Sequence, residues 1–74
     1  MKEEKITQKD ISFGKRLKKL RKRIDITQEE LANETGLSST FIGLLETGKR
    51  KASMKSLQKL ASALKVKVSE LIPF

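Results

Sequence analysis

The chain has 74 residues, with 17 Lys and Arg against 9 Asp and Glu for a formal charge of +8, and neither cysteine nor histidine. That length predicts one domain with a modest core, and the missing residue types exclude disulfide staples and the usual zinc sites, so packing or a partner chain must supply stability. Ten of the 17 basic residues lie between Met1 and Arg23 and the only aromatics are three Phe, a balance that favours a polyanion partner, and duplex DNA over stacked single strands.

Residues 1–11 are charged and aperiodic and predict a flexible arm, which leaves 12–74 as the folded domain. No apolar run follows Met1 to form a secretory leader, and no stretch approaches the roughly 20 apolar residues of a membrane span. A soluble, cytoplasmic protein is expected, associated with the nucleoid when bound to DNA. Phe13, Leu17, Leu20 and Ile24 then recur at helical spacing, predicting a first helix over 12–23 with Lys15, Lys18, Lys19 and Lys22 off its apolar face. Asp25 stands where a left-handed residue would stop that helix.

Thr27, with Glu30 three residues on, has the spacing of a capping box, and Ile26 and Leu31 have that of a hydrophobic staple. The second helix ends near Thr35, with Gly36 as the left-handed stop. The same punctuation follows at once: Ser38 as cap, Leu37 and Ile42 as staple, Gly48 as stop. Ser53 caps a fourth helix carrying Leu57, Leu60, Ala61 and Leu64. In "KVKVSELIPF", Val66 and Val68 alternate as in a strand, while Ser69 could cap one last turn. A short fifth helix is preferred, because a lone strand has no partner.

The second and third helices meet through a very short junction around Gly36, the arrangement of a helix-turn-helix, whose second helix enters the major groove. At this point "LKKLRKRIDITQEELANETGLSSTFIGLLETGKR" resembles the phage-repressor and Cro-like (XRE) helix-turn-helix family, through its "TQEELA" opening, the glycine and "LS" of the turn, and "LETG" after the third helix. The likeness continues through "SMKSLQKLASALKV" and spans about Phe13 to Leu71. It implies an all-α, five-helix domain acting as a homodimer on a two-fold operator. "TFIGLLETGKRKASMKSL" is similar to the controller proteins of restriction–modification systems within that family.

The resemblance implies residue roles. Gln28 matches a contact to the DNA backbone at a helix N-terminus, where free N–H groups favour phosphate. Ser38, Ser39 and Thr40 match the start of the reading helix, Leu44 a groove-facing position one turn on, and Lys49, Arg50 and Lys51 a loop along the backbone. Arg21 and Glu46 match a structural salt bridge between the first and third helices. Two departures stand out. Asp25 replaces a frequent glycine, and no Arg, Asn or Gln occupies Ser39, Thr40 or Leu44, so bidentate base contacts are missing and DNA shape must carry more of the specificity. Gly43 costs about 1 kcal/mol of helix propensity relative to Ala, and its missing side chain leaves the backbone open to DNA or to a neighbour.

The apolar tail, Val66, Val68, Leu71, Ile72 and Phe74, exceeds what one helical turn can bury on one side and is read as a dimer interface. No enzymatic activity is expected, since neither a nucleophile–base pair beyond a Ser–Lys arrangement nor a phosphate-cradling glycine loop is present. No cofactor, metal or small-molecule ligand is expected either. Two other classes stay open: an antitoxin-type interaction module on the same fold, and a membrane-surface binder using the basic first helix. The latter is disfavoured because Phe13, Leu17, Leu20 and Ile24 are needed inside so small a core.

Overall fold

The structure, a computed structural model, describes residues 5–74. They form five helices, α1 (Gln8–Arg23), α2 (Gln28–Thr35), α3 (Ser39–Glu46), α4 (Met54–Leu64) and α5 (Val68–Leu71), with no strand among the described residues. The first begins earlier than its apolar period indicates. Both the N–H and the hydroxyl of Thr7 donate to Asp10 Oδ2, at 2.7 and 3.1 Å. That cap starts the helix at Gln8, so the last four residues of the arm expected over 1–11 are helical; residues 1–4 of that expectation lie outside the described residues.

Three helix ends share one device. At Asp25 (φ 58°), Gly48 (φ 73°) and Lys65 (φ 60°) the backbone turns left-handed. The next N–H then reaches back to a carbonyl of the last turn: Ile26 to Arg21, Lys49 to Leu44, and Val66 to Ala61. This Schellman arrangement satisfies carbonyls that a helix end leaves open. It also explains one misplacement. Ile24 was expected inside, but it sits at the α1 C-cap and is 37% exposed. The reversal at Asp25 turns Ile26 inward in its stead, and Ile26 packs against the core.

Leu17, Leu20, Leu31, Ile42, Leu45, Leu60 and Leu71 are fully buried. Each such side chain stabilises the fold by about 1.5–3 kcal/mol relative to exposure. The core is built where α1 packs on α3, α2 on α3 and α4, and α5 on α4 and α1. Arg16 Nε, donating to the Glu70 carbonyl at 2.9 Å, ties α5 to α1. The fifth helix is present, yet Ser69 lies inside it. Its cap is Lys67, whose N–H donates to Glu70 Oε2 at 2.8 Å.

The helix pair α1–α3 meets closely at Gly14. A Cβ there would lie 2.3 Å from the Leu45 carbonyl oxygen and 2.7 Å from that of Glu46. Only a residue without a side chain lets α1 run directly across the C-terminal turn of α3.

Candidate nucleic-acid interface

The turn between α2 and α3 is made by Gly36, Leu37 and Ser38. Gly36 takes φ 73°, and its N–H donates to the Ala32 carbonyl at 2.9 Å. Buried Thr35 donates its hydroxyl to the Leu31 carbonyl at 2.8 Å and accepts from the Leu37 N–H at 3.3 Å. Ser38 Oγ then accepts from the Phe41 N–H at 3.0 Å and opens α3. Thr27 does the same for α2, its Oγ1 taking the Glu30 N–H at 3.0 Å while Glu30 Oε1 accepts the Thr27 N–H at 2.9 Å. Local chemistry alone therefore sets both helix starts.

Helix α3 divides into two faces. Ile42, Leu45 and Glu46 are buried, whereas Thr40 is exposed and Ser39, Gly43 and Leu44 are half-buried. The inner face is locked by an ion pair. Arg21 Nε donates to Glu46 Oε2 at 2.6 Å and Nη2 to Oε1 at 3.0 Å, while Nη1 takes the Ile26 carbonyl at 2.8 Å. The bond to Glu46 outweighs the opposing effect of burial and raises the Arg21 pKa above its ordinary value. The expected bridge between the first and third helices is therefore present and two-pronged, a geometry that fixes orientation as well as distance.

Gln28 joins the same network, its Nε2 donating to Glu46 Oε1 at 3.0 Å. Its carboxamide lies over Gly43, where an added Cβ would meet it at 3.6 Å. The neighbour that uses the gap at Gly43 is thus Gln28. Among the described residues its side chain makes no other hydrogen bond.

The three loop cations differ from one another. Lys49 and Arg50 are exposed, and the Arg50 guanidinium sits 5.6 Å from the Phe41 ring centroid. Lys51 lines one hollow with them and with Ile6, but its Nζ is held 2.6 Å from Asp10 Oδ2 in the first turn of α1. That bond is the largest of the causes that pull the Asp10 pKa below its ordinary value.

The C-terminal cluster also divides. Leu71 is fully buried within the protomer, which removes it from any surface a second chain could touch. Val66 and Val68 pack partly against the core, Ile72 is half-buried, and Phe74 is 63% exposed. Phe13, Ala52, Leu57, Ile72 and Phe74, together with the paired Asp10 and Lys51, line a hollow of about 230 Å³, and Lys9 Nζ stands 5.4 Å from the Phe74 ring centroid.

Three residues near the interface escaped the sequence reading. Gly14 carried no local signal, and Asp10 read as part of a charged arm, although its spacing from Thr7 was a usable cap signature. Exposed Asn33 lines, with Ser38 and Ser39, a hollow of about 360 Å³ beside the turn.

The sequence profile of the HTH_3 helix-turn-helix family matches residues 17–71. The chain is 42% identical over 62 residues to the control protein C.MunI of a Mycoplasma species, covering 82% of this chain and 84% of that one. It is 33% identical over 63 residues to the control protein C.BamHI of Bacillus amyloliquefaciens, covering 84% and 78%. Among solved structures, the restriction–modification controller C.AhdI of Aeromonas hydrophila superposes with a TM-score of 0.81 at 39% identity, covering 82% of this chain and 92% of that one. With the paired helices, the third helix locked to the first and these relatives in agreement, the chain belongs to the HTH_3 (XRE-type) helix-turn-helix family of DNA-binding transcriptional regulators.

Proposed function

We propose that this protein is a controller-type regulator that binds a two-fold operator near its own reading frame as a homodimer. In this reading α3 of each protomer enters one of two successive major grooves, with half-site centres roughly 34–36 Å apart. The observation that carries it is the division of α3. Its inner face is tied to α1 through Arg21 and Glu46, and its outer face carries Ser39, Thr40, Gly43 and Leu44. Gln28, beside Gly43 and Glu46, and Lys49 and Arg50, in the loop after α3, are the phosphate-binding groups, which set register without reading bases.

The outer face holds only hydroxyls and one aliphatic side chain. Hydroxyls accept either base type and Leu44 offers contact to thymine methyls, so DNA shape and deformability supply much of the discrimination. The dimer contact is assigned to Val66, Val68, Ile72 and Phe74. An aromatic ring left in solvent beside a largely apolar hollow, bordered by the Asp10–Lys51 pair, supports an isologous contact there. The controller reading is supported by relatives of similar length that are named control proteins. The protein would act in the cytoplasm, with the DNA it binds.

The test is titration of purified protein into labelled duplex from upstream of its own start codon, and into a scrambled duplex, at two salt concentrations. Tight binding to the native duplex alone is the expected result. Equal and steeply salt-dependent binding to both would leave only the electrostatic attraction and overturn the autoregulatory reading.

A further inference from the structure

The basic loop after α3 is fastened to the first turns of α1 at two points. A Cβ on Gly48 would lie 2.9 Å from Ile11 Cγ1 and 3.0 Å from Ile11 Cα, so the loop backbone rests directly on the helix. Three residues on, Lys51 Nζ reaches Asp10 Oδ2 at 2.6 Å, across 41 positions of chain. The same oxygen accepts from the Thr7 N–H and hydroxyl, so the carboxylate is held from the α1 side while it holds the lysine. The Asp10 side chain is 17% exposed and that of Lys51 28%. Lys49 and Arg50 are exposed, and among the described residues neither has an acidic partner.

A run of three cations thus behaves as two. An ammonium already facing a carboxylate gains little by moving to a phosphate, because it exchanges one anion for another and leaves the first unpaired. Sequence-independent affinity for DNA rises with each phosphate neutralised. A reading face of Ser39, Thr40 and Leu44 has few base contacts with which to outcompete that background.

Building on the proposal that this face binds duplex DNA, we infer that Asp10 is a positioning residue for the DNA-facing loop. It holds the Lys51 ammonium against α1, keeps one cation per protomer out of the phosphate contacts, and so raises the ratio of specific to non-specific binding. Its site is the junction of the α1 N-terminal turn with the Gly48–Lys51 loop.

The experiment compares full-length wild type with Asp10→Asn, Lys51→Gln and Glu34→Gln. Fluorescence anisotropy is read on the native upstream duplex and on a scrambled duplex across a salt series. Glu34→Gln makes the same charge change as Asp10→Asn, but beside Lys55 and Lys59 in the hollow between α2 and α4. For Asp10→Asn, the slope of log affinity against log salt on the scrambled duplex should steepen by about 0.9 per bound protomer. That is about a 3.5-fold larger loss of affinity between about 50 and 200 mM salt, with a smaller native-to-scrambled ratio. Lys51→Gln and Glu34→Gln should keep the wild-type slope.

A wild-type slope in Asp10→Asn, or a slope shallower by about 0.9 in Lys51→Gln, would overturn the inference. So would equal steepening by Glu34→Gln, which would reduce the effect to net charge. If Asp10→Asn loses its helical circular dichroism, the slope of Lys51→Gln still decides. Failure of wild type to bind either duplex would instead remove the DNA-binding reading of this face.

Discussion

One substitution, glycine to alanine inside a helix, is expected to act with opposite sign at two positions. At Gly43 in α3, an added Cβ would meet only the Gln28 carboxamide at 3.6 to 3.9 Å, an ordinary contact with a side chain that can yield. Gly43→Ala should therefore keep the helix-propensity gain and stabilise by about 0.5–1 kcal/mol. At Gly14 in α1, the Cβ would lie 2.3 Å from the Leu45 carbonyl oxygen, 2.7 Å from that of Glu46 and 2.9 Å from the Glu46 carbonyl carbon. Non-bonded heavy atoms rest at roughly 3.5 Å, so α1 and α3 must part by about 1 Å against fixed backbone. Overpacking costs about 1–3 kcal/mol even where side chains can move. Here backbone must move, so the upper end applies, and after the propensity gain a net loss of about 2 kcal/mol remains. Thermal unfolding by circular dichroism, at one protein concentration so that assembly does not shift the midpoint, reads both. With about 4–8 °C per kcal/mol for a domain of this size, Gly43→Ala should melt up to about 8 °C higher and Gly14→Ala about 8–16 °C lower. Equal melting of Gly14→Ala and wild type would refute the close-approach argument; a destabilised Gly43→Ala would show that Gln28 cannot yield.

Other outcomes follow from the same geometry. Glu46→Ala leaves Arg21 and Gln28 without their shared acceptor and should cost about 3–5 kcal/mol, whereas Arg21→Met with Glu46→Leu should recover most of it in urea unfolding; a double variant no better than the single would mean the pair is not the cause. Replacing Ser39 and Thr40 together by Ala should flatten sequence preference in a selection from random duplexes, while Arg50→Ala should weaken all duplexes alike and reduce the salt slope by about 1. Asp10 has a lowered native pKa, so its contribution is fully present above the ordinary carboxylate range and fades as pH falls through the native value. The stability advantage of wild type over Asp10→Asn in urea unfolding should accordingly shrink toward zero in acid, and an advantage constant with pH would contradict the ion pair. Phe74→Ser should sediment as a monomer without loss of helicity; a persistent dimer would move the interface elsewhere.

The stop of α1 and the caps and stops of α2 and α3 are legible directly in the residues. Thr27 with Glu30, Ser38, Gly36, Asp25 and Gly48 act through bonds to their own neighbours, and such chemistry is complete within a few positions of chain. The helical period of Leu17 and Leu20, and of Leu60 and Leu64, named the core for the same reason. The family resemblance supplied the Arg21–Glu46 bridge, which the structure holds at 2.6 Å.

What only tertiary packing decided lies between positions far apart in the chain. Gly14 matters because α3 passes over it, and nothing near Gly14 in the sequence announces that crossing. Lys51 read as one of three equal loop cations until the fold brought Asp10 to it from 41 residues away. Leu71 read as interface, but α5 packs between α1 and α4 and buries it, leaving Phe74 in solvent. Residue type sets how strongly a side chain avoids water or seeks a counter-charge. Which neighbour meets that demand is set by how the helices cross.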